Sequence, residues 1–239
     1  MNNVLVIQPL HSRQRLLDAM HAAGAAVIEH SFITIEPVKT KIVDLTHCDA
    51  VIWVSKNAVL QAHAQGINLN PRVRMYAVGP GTARLAAELF NQPCQCPVTE
   101  HASESLLNLP ELIELNSQRW AILKGKGGRE LLANSLVARG ASFENVVLYQ
   151  RVKKPLKDPE LVQRWISEVD TIVVTSAEQL SYFLSELPRD AATWLKHCWW
   201  VVPSQRLAQL IPFAEPDSIT ITQSASESAM IDALTNSGT

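Results

Sequence analysis

Short apolar runs recur along the chain without polar alternation, at residues 4–7, 27–33, 50–54, 73–78, 120–123, 143–149, 171–174, 199–202 and 219–221. Most are rich in Val and Ile. A strand with one wet face alternates, so a run apolar at every position reads as a strand covered on both faces, as in parallel sheets. Between the runs lie segments of helical spacing, at 13–23, 83–90, 103–115, 130–138, 160–168, 178–186, 205–211 and 227–234. Gly24 and Gly140 stand where two of these helices end. The alternation of strand and helix predicts an α/β fold.

The pattern also occurs twice. Val6/Ile122, Arg13/Arg129, Leu16/Leu132 and Gly24/Gly140 share a spacing of 116 positions. Asp49/Asp170 and Ser55/Ser176 are 121 apart, Arg84/Arg206 are 122 apart, and Ala102/Ala225, each opening Ala-Ser-Glu-Ser, are 123 apart. The spacing grows slowly, as loop insertions would make it. The order of the matches predicts two similar α/β lobes with a cleft between them, a common ligand site. Segments 34–40 and 151–158 occupy equivalent places in the repeat, contain proline and lysine, and lack helical periodicity. They are expected to be linkers forming a hinge.

Composition narrows the function. A chain of 239 residues has room for one large domain or two small ones. Hydrophobic residues make up 47% and charged residues 18%, which suits a packed core and argues against disorder. Lys and Arg number 21 against 23 Asp and Glu, a net charge of −2, so no basic field for nucleic acid is expected. No apolar run reaches the ~18 residues of a membrane span. The start, MNNVLVIQPL, lacks the basic region and cleavage site of a signal peptide, so the expected compartment is the cytoplasm. A monomer is expected, because no exposed apolar helix stripe demands a partner. Cys48, Cys94, Cys96 and Cys198 make no disulfide framework. Only Cys94 and Cys96 are close, in PCQCP, where a short proline-bounded strand is the expectation; no metal centre is expected from these spacings.

In parallel α/β sheets, ligands bind beyond the carboxyl ends of the strands, beside helix N-termini. Those places carry Gln8-Pro9 and Ser12, then Ser55-Lys56-Asn57, then Gly79-Pro80-Gly81-Thr82. Later come KGKGGR from Lys124 to Arg129, Thr175-Ser176 and Pro203-Ser204-Gln205. Small hydroxyl residues cap helices, and the backbone N–H groups beside them bind anions without net positive charge. The turn holding Lys124, Gly125, Lys126, Gly127 and Arg129 adds charge and close backbone approach. It is neither a Walker A loop nor Gly-x-Gly-x-x-Gly, and no Gly-x-Ser-x-Gly elbow is present. With no evident catalytic battery, an enzyme of this sequence is expected to work by positioning its substrate. Tyr149 ends the 143–149 run just before a linker. Two readings of it stand: an aromatic packed at the hinge, or a phenol in the cleft acting as proton donor.

At these residues the chain resembles uroporphyrinogen-III synthase over essentially its whole length. The resemblance is sharpest in LKGKGGRELLANSLVARGA followed by VVLYQR, and continues through EVDTIVVTS and HCWWVVPSQRLAQL. The first half contributes SKNAV and AVGPGTA. It implies two flavodoxin-like parallel-sheet lobes joined by a two-stranded linker. One lobe is then discontinuous, 1–35 plus 158–239, and the other, 40–150, is inserted. The implied substrate is hydroxymethylbilane, a linear tetrapyrrole bearing eight carboxylates. The implied reaction removes water, inverts the terminal ring and closes the macrocycle to uroporphyrinogen III, with no metal or organic cofactor. Tyr149 falls at the family's recurrent tyrosine. Ser55, Gly79, Thr82, Ser176 and Ser204 fall at positions that would hold acetate or propionate groups. Lys124, Gly125, Gly127 and Arg129 fall in its basic glycine-rich loop, where an ion pair on its own helix is an equal reading for Arg129. The chain departs from the family pattern at Gln8-Pro9, where many relatives have Thr-Arg-Pro, and at Pro203-Ser204-Gln205, where others carry Gly-x-Thr. A non-catalytic two-lobed anion-binding protein is the alternative, and a nucleotide-binding enzyme using VGPGTA a further one.

Overall fold

The structure is a computed structural model describing residues 3–8, 14–22, 24–39, 44–98, 103–128, 130–222 and 227–236. The chain separates into two compact units, Met1–Thr34 with Val152–Thr239, and Ile35–Arg151.

The first unit holds strands β1 (Asn3–Ile7), β2 (Ala26–His30), β9 (Thr171–Val174), β10 (Trp199–Val202) and β11 (Ile219–Ile221) in one sheet. Their order is β2-β1-β9-β10-β11, and every pairing is parallel. This is the flavodoxin order 2-1-3-4-5. Leu5, Ile7, Ile172, Val174, Trp200 and Val202 face one side, against helices α6 (Pro159–Glu168), α7 (Ala177–Glu186), α8 (Ala191–His197) and α9 (Gln205–Ala208). Val4, Val6, Val173 and Val201 face the other, against α1 (Gln14–Ala22) and α10 (Glu227–Asn236). Burial on both faces is why these runs carry no polar alternation.

The second unit adds β3 (Ile33–Pro37), β4 (Ala50–Trp53), β5 (Arg74–Ala77), β6 (Cys94–Gln95), β7 (Arg119–Gly125) and β8 (Ser142–Lys153) in the order β3-β8-β7-β4-β5-β6. The β4–β5, β4–β7, β5–β6 and β7–β8 pairings are parallel. Val51, Trp53, Met75, Ala121 and Leu123 pack toward α2 (Lys56–Ala64) and α3 (Pro80–Phe90). Ile52, Tyr76, Trp120 and Ile122 pack toward α4 (Ser103–Leu107) and α5 (Leu131–Ala138). The two-residue β6 lies at the sheet edge between Pro93 and Pro97, a short proline-flanked edge that resists pairing with another chain. The chain passes between units within β3 and within β8.

The structure differs from the sequence pattern in four places. The run 27–33 is two strands, because Ser31 Oγ bonds to the backbone of Ile33 and Phe32 N–H donates to Gln179 rather than to a ladder. The expected helix 103–115 stops at Leu107, and Pro110 opens a separate 3-10 turn. Helices α2 and α8 were not expected; both are short, and α2 is capped by Ser55, whose Oγ accepts from Ala58 N–H. Strand β8 runs to Lys153, past the expected end at Tyr149. Among the described residues, no helix is long and apolar enough to cross a membrane.

Candidate active site

In the second unit the chain leaves β4 for the α2 face and β7 for the α5 face, so the gap between β4 and β7 is the switch point where ligands bind. A cavity of about 230 Å³ lies there. Val54, Lys124, Gly125, Lys126, Gly127, Gly128 and Tyr149 line it, with Ser103, Asn145 and Arg151. Pockets that enclose a whole ligand run ~300–1,000 Å³, so this one takes part of a larger molecule.

The glycine-rich turn is shaped by backbone geometry. Gly127 and Gly128 have φ of 80° and 95°, which disfavour any side chain. Gly125 is required for a different reason: a Cβ there would meet Tyr149 Cζ at 2.6 Å, so the phenol ring lies directly over it. Lys126 N–H donates to the Tyr149 carbonyl at 2.7 Å, tying the turn to β8. A register shift between Lys124 and Gly125 brings Tyr149, rather than Leu148, opposite Gly125. Such a bulge re-aims a side chain, and here it directs the phenol. The Tyr149 hydroxyl shares a 2.9 Å hydrogen bond with Ser55 Oγ. Lys124 is buried, and among the described residues its Nζ pairs with the exposed Glu130 carboxylate alone, at 3.9 Å. A buried ammonium so loosely paired is suited to an incoming carboxylate.

The sequence-predicted residues therefore fall into groups. Lys124, Gly125, Gly127 and Tyr149 share the cavity, and Ser55 adjoins it through the phenol. Gly79 is the N-cap of α3, and Thr82, almost buried in its first turn, donates its N–H to the Gly79 carbonyl. Neither lines the cavity. Ser176 and Ser204, in the first unit, cap α7 and α9 by accepting from Gln179 and Leu207 N–H. Arg129 lies outside the described residues. Ser103 and Asn145 line the cavity without having been expected. Ser103 stands far upstream of the glycine-rich turn, and Asn145 interrupts an apolar run; that interruption was the one available signal.

The first unit presents a different surface at the matching point. Gln8 follows β1 fully buried, its Nε2 donating to Glu29 Oε1 at 3.3 Å and its Oε1 without a hydrogen-bond partner among the described residues. Beside it, His30 is held mainly by burial, and secondarily by the Lys154 charge, at a pKa of about 4, so its imidazole is neutral.

Parallel sheets crossed by helices on both faces, with polar turns at the strand ends, define a two-unit α/β protein of flavodoxin-like design. A family model described as "Uroporphyrinogen-III synthase HemD" matches residues 14–232. The uroporphyrinogen-III synthases of Salmonella typhimurium and Escherichia coli are 34% and 31% identical to this chain, each alignment covering 97% of this chain and 99% of the relative. The chain belongs to the uroporphyrinogen-III synthase family, cyclising lyases of haem and tetrapyrrole biosynthesis. Among solved structures, the Helicobacter pylori uroporphyrinogen-III synthetase aligns with a TM-score of 0.67 at 15% identity, covering 99% of both chains. A mutant Thermus thermophilus enzyme aligns at 0.57 and 18%, covering 98% of this chain and 99% of that one. At such identities the structural likeness speaks for the fold alone.

Proposed function

We propose that this chain converts hydroxymethylbilane to uroporphyrinogen III, with Tyr149 as general acid in the cavity of the second unit. The observation that carries the reading is Tyr149, its hydroxyl hydrogen-bonded to Ser55 and its side chain lining a cavity that the buried Lys124 also lines. Lys124, with the backbone of Gly125 to Gly128, holds a carboxylate of the terminal pyrrole. Tyr149 gives its proton to the departing hydroxyl, which leaves as water while the pyrrole nitrogen supplies the electron pair. The resulting azafulvenium cation is attacked by the far ring at its substituted carbon. The spiro intermediate then opens and recloses with that ring inverted, and the proton released on cyclisation restores the phenol. Ser55 orients the phenol through its hydrogen bond, since its oxygen also accepts from the α2 backbone. Gly79, Thr82, Ser176 and Ser204 hold further carboxylates in this reading, and Arg129 another. Their support is their position at strand carboxyl ends and helix starts.

The substrate closes by itself to the uninverted isomer I, so the enzyme's work is to hold one fold of a floppy polyanion. The test supplies freshly prepared hydroxymethylbilane and separates the products by chromatography. Predominantly isomer III is expected; isomer I alone would leave a binding protein. A cytoplasmic monomer is part of the same reading, and light scattering on the purified chain tests the monomer.

A further inference from the structure

Near the amino-terminal ends of β4 and β8, three metal-ligating side chains that do not line the cavity meet. His47 and Cys48 stand in the turn before β4, and Glu144 lies near the start of β8, five positions before Tyr149 and about 16 Å from it by strand rise. One ligand atom from each, an imidazole nitrogen, Sγ and a carboxylate oxygen, lies within 4.8 Å of the other two. Cys48 Sγ donates to Glu144 Oε1 across 3.8 Å. The turn is firmly built: Thr46 N–H and Oγ–H both donate to Asp44 Oδ1, Cys48 N–H donates to the Leu45 carbonyl, and Asp49 accepts Arg119 N–H at 2.7 Å. Glu144, Asp49 and Asp44 surround the sulfur with negative charge. A buried thiol among three carboxylates is a poor place for an anion and a favourable one for a cation.

The donor set narrows the ion. Imidazole, thiolate and carboxylate together are the ligands of Zn²⁺, whereas Ca²⁺ and Mg²⁺ take all-oxygen sets. Bonds of 2.0–2.3 Å around a tetrahedral ion separate ligand atoms by about 3.3–3.8 Å. The cluster must therefore contract by about 1 Å at its widest. His47 and Glu144 are exposed, while Cys48 is buried, so the adjustment falls to the two exposed side chains. We propose that His47, Cys48 and Glu144 form a site for a Zn²⁺-type divalent ion, distinct from the substrate cavity, with solvent completing the coordination. On binding, the Sγ–metal bond replaces the S–H bond and the proton passes to water. No electron transfer is involved. The ion would tie the 44–48 turn to β8, joining residues 96 positions apart.

The full chain, stripped of metal, is titrated with Zn²⁺ against a chromophoric chelator, and separately with Co²⁺ while absorption is followed. One equivalent is expected, with a thiolate-to-Co²⁺ charge-transfer band. Cys48→Ser should abolish the band and weaken binding by more than the ten- to hundredfold that loss of an outer hydrogen bond costs. Glu144→Gln, an exposed change that keeps the strand, should weaken binding at least tenfold. The double variant Cys94→Ser/Cys96→Ser should bind as the parent does. Circular dichroism verifies that each variant is folded. Absence of stoichiometric binding overturns the proposal, as does a band that survives Cys48→Ser, unchanged affinity in Glu144→Gln, or a band lost with Cys94 and Cys96.

Discussion

The two units are the same sheet made twice. The first reads β2-β1-β9-β10-β11 and the second, without β3, β8-β7-β4-β5-β6. The sequence repeat pairs β1 with β7 and β4 with β9, and these occupy the same sheet positions. Each unit is thus assembled from part of each half of the chain. The strand ends, however, are finished differently. Gln8 and Lys124 are 116 positions apart and end matching strands, one carrying a neutral amide and the other an ammonium. Gln179 and Ala58 are 121 apart. In the first unit, the fully buried Gln179 accepts from Phe32 N–H at 2.9 Å and donates to Ser31 Oγ at 3.1 Å, closing that end with internal hydrogen bonds. In the second, the Ala58 methyl group offers no side-chain hydrogen bond, and Tyr149 reaches Ser55 beside an open cavity. The same sheet order thus carries a strand end closed by Gln179 in one unit and an open cavity in the other.

Removing the phenol's proton tests that contrast most severely. Tyr149→Phe is expected to lower turnover by about ten- to a thousandfold with KM little changed, measured as the rate of isomer III formation. An unchanged rate would reject the acid role. Gly125→Ala forces a Cβ against the ring and is expected to cut turnover nearly as far, while costing about 1–3 kcal/mol in urea unfolding from overpacking. Gln179→Leu acts on the closed end. It strands the Phe32 N–H and is expected to cost about 1–3 kcal/mol of stability with turnover per folded molecule intact. A large loss of turnover instead would mean that the first unit's end is not merely structural. The smallest effect concerns pH. His30 titrates near 4 in the fold and near 6.5 when unfolded, so its neutral form favours the native state above 6.5. That contribution is lost as pH falls through this window, because the unfolded chain takes up the proton first. His30→Leu should therefore flatten the fall of the urea midpoint between pH 7 and 4.5.

Much of this was legible in the chain. Val4 to Ile7 and Thr171 to Val174 read as doubly covered strands because burial on both faces removes the need for polar positions. Ser55, Ser176 and Ser204 read as caps because a hydroxyl before a helix satisfies N–H groups that nothing else reaches. Tyr149 and the glycine-rich turn, which line one cavity, read as candidates because each stands at the end of an apolar run. These are short-range causes, carried by a residue and the few beside it. The break at Ser31 was hidden because its agent, Gln179, is 148 positions away. The bulge that turns Tyr149 toward Ser55, the cavity contributions of Ser103 and Asn145, and the meeting of Cys48 with Glu144 were equally hidden. Periodicity reports which face of an element is buried. Which end of which element another chain segment meets depends on register and crossover, and those are settled only when the sheets assemble.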